Sequence, residues 1–308
     1  MAQDTPKAPN PDKPTVAVLG PGGVGGLLAA LLSRAGHRVI CLATDATAEA
    51  LRTRGLRVRS GQFGDFTVAV EADTELREPV DACLIAVKAT SLDAALPRIP
   101  AQAIGDTLLV PFLNGVEHPG LLRAHYRPDQ VAPSAIRVES TRVAPGEIEH
   151  GSPFAQIDLA GDPVPRARLD ALAVALTEAG ITTRVLDDEV AALWAKMSLL
   201  APIALLTTRY GVPLGEIRDR HREELTALVR EAAEVSRACG GPADPDGALA
   251  RYDAFPPGTK SSMQRDAEAG RPLELDAIGG ALLRAADRHG IAVPTASRVV
   301  RELGSTAG

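Results

Sequence analysis

The chain has 308 residues, 45% apolar and 23% charged, enough for one large or two ordinary domains with real cores. Its formal charge of −6 argues against a nucleic-acid or anionic-membrane partner, either of which would want a basic face. Three cysteines without CxxC spacing and six unclustered histidines indicate neither a disulfide framework nor a protein-ligated metal, so a reducing cytoplasm is the simpler location. No apolar run approaches the roughly 20 residues that span a bilayer. The basic residues are 28 Arg and only 5 Lys, and asparagine occurs twice, at Asn10 and Asn114. Each lysine and asparagine is therefore worth locating.

Residues 1–14, rich in Pro and Asp and without an apolar core, read as a disordered leader. Order begins at Thr15. The run TVAVLG is a buried strand, PGGVGG a glycine turn, LLAALLSRAG a helix and HRVICLA a second strand, together a βαβ unit. Further apolar strands fall at 81–87 and 107–113, with a helix-like stretch between them. Near-continuous apolar strands separated by helices imply a parallel sheet covered on both faces. From about 130 to 160 the pattern alternates around a Pro-Gly turn at 145–146 and predicts an antiparallel hairpin. A helix at about 165–179 and the strand ITTRVLD close this half. From Asp188 onward only helices are predicted. The expected fold is α/β: a doubly wound domain with an antiparallel extension over 15–187, then an all-helical domain over 188–308.

The turn fits GxGxxG through Gly20, Gly22 and Gly25. Gly20 permits the tight turn, Gly22 lets a pyrophosphate approach, and Gly25 lets the helix pack on the strand. With Gly23 and Val24 these residues present a helix N-terminus to the phosphates. Its place between a predicted strand and helix makes it a dinucleotide site. At the end of the second strand stand Ala43, Thr44 and Asp45. Asp45 could accept from the ribose hydroxyls, or Thr44 with Arg52, Arg54 or Arg57 could hold a 2′-phosphate; a solvated arginine face is the plainer alternative.

Outside the leader three lysines remain. Lys88 ends the third strand and Asn114 follows the fourth, both at the carboxyl edge where doubly wound sheets bind ligands. Lys196 lies in the apolar helix EVAALWAKMSLLAPIALL, with Leu200 and Ala204 on its face. A partly desolvated lysine can release a proton near neutrality, whereas arginine cannot, which makes Lys196 a candidate general acid. Lys260 reads as a solvated loop residue.

The runs GPGGVGG, VKA (87–89), LNG (113–115), WAK (194–196), GVPLGEI (211–217) and SSMQRDAEAGRPLELDAIGG (261–280) resemble the ketopantoate reductase (2-dehydropantoate 2-reductase) family, from about Thr15 to Pro294. The resemblance implies a Rossmann-type domain joined to a helical one, with the active site in the cleft between them. It implies NADPH as cofactor, with NADH not excluded, and reduction of a 2-oxo acid in pantothenate biosynthesis. It further implies that Lys196 donates the proton and that Glu274 orients the lysine and the substrate hydroxyl. Lys88 and Asn114 match positions on the nicotinamide side, Asn114 also facing substrate, and Ser262 matches a substrate-binding serine. The chemistry is coherent on its own terms, because hydride delivery leaves an alkoxide that wants a proton-giving cation beside it.

Where the family places asparagines one and two turns after the lysine, this chain has Leu200 and Ala204; Thr259 and Gly279 also replace frequent asparagines. Ketopantoate is the first substrate expected. A less polar 2-oxo acid or an imine is the enzymatic alternative, and a non-catalytic dinucleotide sensor the alternative of another class. No nucleic acid or membrane is expected as a partner, and the helical half could supply a homodimer interface.

Overall fold

The computed structural model describes Asn10 and residues 12–306, which fall into two compact units. One runs to Leu113 and resumes over His118–Glu189; the other comprises Asn114–Glu117 and the chain from Val190. Residues 1–9 and 11, most of the expected leader, lie outside the described residues. Its last residues are held rather than loose: the Asn10 N–H donates to the Gly36 carbonyl at 3.0 Å, and Lys13 Nζ donates to Glu178 at 2.7 Å.

The first unit is built on a five-stranded parallel sheet. Thr15–Leu19 lies at its centre, with Arg38–Leu42 and then Glu71–Asp73 to one side, and Ala82–Ile85 and then Leu108–Pro111 to the other. Val16, Ala17 and Val18 are fully buried, as strands covered on both faces require. Strand order reverses at Thr15–Leu19, so the crevice beyond its carboxyl end is the topological switch point. The helix Gly23–Arg34 starts there, and its residues from Gly25 to Leu32 are buried.

The later strands are more than one hairpin. Ser140–Ala144 and Glu147–His150 do pair antiparallel, with a register shift at the turn. Glu147–His150 also pairs parallel with Leu56–Ser60, which pairs antiparallel with Phe66–Val68, giving a four-stranded sheet. Ser134–Arg137, Gln156–Leu159 and Thr182–Val185 form a third sheet. Leu56–Ser60 lies outside the expected strands and carries two charged residues, Arg57 and Arg59. They are the exposed half of a strict alternation whose other residues, Leu56, Val58 and Ser60, are buried.

Every described element of the second unit is helical. Its core centres on Glu189–Tyr210, a 22-residue helix containing an 18-residue stretch with a mean hydropathy of 1.7. This corrects the expectation that no segment approaches spanning length. Some 61% of its apolar stretch is buried inside the protein, the mark of a core helix. Pro202 interrupts its backbone ladder. The fully buried Tyr252 hydroxyl braces the helix beside the break, donating to the Leu199 carbonyl.

A Cβ at position 25 would lie 2.3 Å from the Gly20 carbonyl oxygen, a backbone atom that cannot step aside. Gly25→Ala is therefore expected to cost about 1–3 kcal/mol. Chemical denaturation of the variant against the wild type measures the loss.

Candidate functional site

The glycine turn is shaped by contact at two of its positions and by openness at a third. Gly20 has φ +83°, and a Cβ there would lie 2.5 Å from the Val87 Cγ1. Gly25 is closed by the Gly20 carbonyl, Ala86 and Val18. Gly22 caps the helix, and a Cβ there would meet nothing nearer than 4.0 Å. That space lies over the first-turn N–H groups of Gly23, Val24 and Gly25, which have no intrahelical acceptor. Gly23 is further pinned by the Ser140 hydroxyl, which donates to its carbonyl at 2.8 Å.

Thr44 is exposed at the end of the second strand and caps the helix Asp45–Arg54. The three arginines considered as its companions do not gather there. Arg52 donates to the Ala72 carbonyl and pairs with Glu49, Arg54 ends the helix, and Arg57 lies on a strand of the four-stranded sheet. Lys88 is half-buried three residues beyond the strand Ala82–Ile85, and its carbonyl accepts from the Ser91 N–H. It follows Val87, the residue packed on Gly20, so the lysine and the glycine turn share one edge of the first unit.

In the second unit three of the expected residues meet. Lys196 Nζ donates to Asn114 Oδ1 at 3.0 Å, and Asn114 Nδ2 donates to Glu274 Oε2 at 2.9 Å. The ammonium can only donate and the carboxylate only accept, so this order of the amide's atoms satisfies both neighbours. Lys196 and Asn114 are half-buried, and Glu274 is 5% exposed.

Each member is set by its surroundings. Gly115 has φ +90°, and a Cβ there would lie 2.4 Å from the Ala277 carbonyl oxygen, so the backbone beside Asn114 lies directly on the following helix. Glu117 fixes the same segment by pairing with Arg284 at 2.6 Å. Glu274 immediately precedes a helix that opens with a π-turn over Asp276–Gly280, and its carbonyl accepts from the Ile278 N–H. Buried Asp266 accepts from Arg271 Nε at 2.9 Å and closes the loop that delivers Glu274. Within the SSMQRDAEAGRPLELD block, Asp266 and Arg271 are thus bracing and Glu274 is presented.

Ser262 is not hydrogen-bonded into this row. It is exposed on the first turn of Ser262–Glu268 and makes no side-chain hydrogen bond among the described residues. Its neighbour Ser261 is the structural one, capping the helix through the Gln264 N–H and bonding Thr207 at 2.9 Å. Lys260 pairs with Glu268 at 2.8 Å, in keeping with a surface loop lysine. The linkage of Asn114 to both Lys196 and Glu274 went unread, since the partners are 82 and 160 positions away and no spacing signals it.

The sequence profile described as "Ketopantoate reductase PanE/ApbA" matches residues 16–160, and that of the family's C-terminal part matches 189–306. A 2-dehydropantoate 2-reductase of Caulobacter vibrioides is 30% identical over 302 residues, covering 95% of this chain and 99% of the relative. The 2-dehydropantoate 2-reductase of Methylococcus capsulatus superposes with a TM-score of 0.83 at 28% identity, over 95% of this chain and 96% of the other. D-mandelate dehydrogenase, in its ternary structure with NADH and anilino(oxo)acetate, gives 0.87 at 19% identity over 95% and 98%, a likeness of fold alone.

The chain belongs to the ketopantoate reductase family. It has the family's α/β Rossmann-type and helical parts, and it is an oxidoreductase acting on CH–OH and C=O groups. The family's chemistry is NAD(P)H-dependent reduction of a 2-oxo acid.

Asn114→Leu removes one partner from Lys196 and one from Glu274, each bond to a charged group being worth about 1.5–3 kcal/mol. Turnover is expected to fall roughly tenfold or more. Steady-state kinetics, with circular dichroism confirming the helical content, checks this.

Proposed function

We propose that the protein reduces a 2-oxo acid to the 2-hydroxy acid with NADPH, Lys196 giving the proton, and that 2-dehydropantoate is its first substrate. The observation that carries this reading is the hydrogen-bonded row of Lys196, Asn114 and Glu274. The open cradle at Gly22 fits a dinucleotide. There Gly20, Gly22, Gly23, Val24 and Gly25 would hold the pyrophosphate and Thr44 the adenosine ribose, with Lys88 and Asn114 assigned to the nicotinamide side. A bound reduced nicotinamide supplies the hydride.

The remaining steps belong to the protein's own groups. The Lys196 ammonium donates a hydrogen bond to the substrate carbonyl oxygen and so draws electrons from the carbon. As the oxygen becomes an alkoxide, a proton passes from Nζ to it, and the neutral amine recovers one from solvent. Glu274 balances the ammonium's charge through the amide, and Ser262 bonds the substrate carboxylate.

A second reading, reduction of a less polar 2-oxo acid, rests on Leu200 and Ala204. These occupy the lysine's face at one and two turns, and Leu200 packs with the helical core. Neither can hydrogen-bond a polar substrate end. D-mandelate dehydrogenase is named for an aryl hydroxy acid, so its fold takes such a substrate.

NADPH oxidation followed against 2-dehydropantoate and a series of bulkier 2-oxo acids separates the two readings. Lys196→Ala is expected to lower kcat roughly a hundredfold or more while cofactor affinity changes little. Unaltered turnover in that variant would sink the proton-donor role. Leu200→Asn should raise kcat/KM for 2-dehydropantoate relative to the bulkier acids, and an unchanged ratio would show that the apolar wall does not select substrate.

A further inference from the structure

At the carboxyl edge of the parallel sheet, the position where a dinucleotide-binding strand carries its ribose-reading residue holds only Thr44. The cation nearest that strand end by direct bonding comes from elsewhere in the chain. Arg98 Nη1 donates to the Ala43 carbonyl at 2.9 Å and to the Thr74 carbonyl at 2.7 Å. These carbonyls belong to the residues just beyond Arg38–Leu42 and Glu71–Asp73, two adjacent strands of the sheet. The guanidinium therefore ties the two strand ends together beside Thr44.

The surrounding charges are largely matched with one another. Asp73 is held by Arg77 at 2.8 Å, a bond that keeps its carboxyl below the usual range. Arg77 also meets Glu75, and Arg52 pairs with Glu49. Asp45 is exposed on the first turn of the next helix. Arg98 is half-buried, and among the described residues its bonds go to neutral carbonyls and to no carboxylate. Its Nε and Nη2 make no hydrogen bond among the described residues, since both of its bonds come from Nη1. A guanidinium so placed keeps its full charge and the donor edge that matches a phosphate.

We propose that Arg98 is the residue by which this protein selects NADPH over NADH, forming the 2′-phosphate subsite with the Thr44 hydroxyl. This rests on the dinucleotide reading of the glycine turn. It moves the 2′-phosphate from Arg52, Arg54 and Arg57 to an arginine more than fifty positions from the strand end that it serves.

The test is equilibrium binding to the full chain, by cofactor fluorescence for NADPH and NADH and by calorimetry for 2′,5′-ADP and ADP. The wild type is expected to prefer the 2′-phosphorylated member of each pair. Arg98→Gln keeps an amide donor for the Ala43 carbonyl but removes the charge. It should weaken NADPH and 2′,5′-ADP by roughly ten- to a hundredfold while NADH and ADP change by no more than about threefold. Arg98→Lys, which restores the charge, should recover much of the preference. Equal weakening of both members in Arg98→Gln would make Arg98 a brace of the strand ends and overturn the proposal. So would equal loss of preference in the Gln and Lys variants, or a wild type that binds NADH as tightly as NADPH through Asp45. Failure of the wild type to bind any of the four would instead overturn the dinucleotide reading itself.

Discussion

A primary amide between an ammonium and a carboxylate is the interaction on which the second unit's arrangement turns. A lysine half-buried on an apolar helix must find polar partners, because losing water costs its charged form more than its neutral form. Asn114 meets this need with unlike ends. Its carbonyl oxygen faces the ammonium at 3.0 Å, and its amino group faces the Glu274 carboxylate at 2.9 Å. Reversing the amide would set donor against donor and acceptor against acceptor, so the row has one stable sense. Holding it demands a fixed Asn114 backbone, supplied by the approach of Gly115 to Ala277 and by the pairing of Glu117 with Arg284.

The helix that carries the lysine is itself interrupted. Pro202 has no N–H for the carbonyl one turn before it, and its ring crowds that turn. Tyr252 reaches this turn, and its hydroxyl donates to the Leu199 carbonyl. A side chain from another helix thereby serves a main-chain carbonyl beside the irregularity, within an apolar core. The interruption lies between Leu200 and Ala204, the two apolar positions that face along with Lys196.

Much of the fold could be read from the sequence because parallel strands and amphipathic helices write their burial directly into residue order. TVAVL and the glycine turn after it are instances. Leu56–Ser60 escaped because its partners lie far along the chain and its exposed arginines mask the alternation. The site was legible as residue types but not as bonds. Lys196, Asn114 and Glu274 each stood out, yet which touches which depends on a loop brought round by Asp266 and Arg271 and on a glycine with positive φ. Gly279, noted in place of an asparagine, has a packing reason. A Cβ there would lie 2.5 Å from Val300 Cγ2 and 3.2 Å from Leu205, so a longer side chain requires those neighbours to move.

The scarcity of lysine pointed toward the site, but scarcity alone is not the physical distinction. Lys13 and Lys260 are equally rare and do what an arginine would do, each pairing with a partly exposed glutamate. Lys196 differs in having a neutral amide oxygen among its partners. A carboxylate in direct contact both fixes an ammonium and competes to take its proton. An amide oxygen fixes the ammonium but is far too weak a base to take the proton. Glu274 stands one residue further along the row, bonded to the other end of the same amide. Arginine could occupy such a place as a cation, but its guanidinium stays protonated and would be barred from giving up a proton to a forming alkoxide near neutrality. On the proposed reading, that requirement accounts for a lysine at 196 in a chain that otherwise favours arginine.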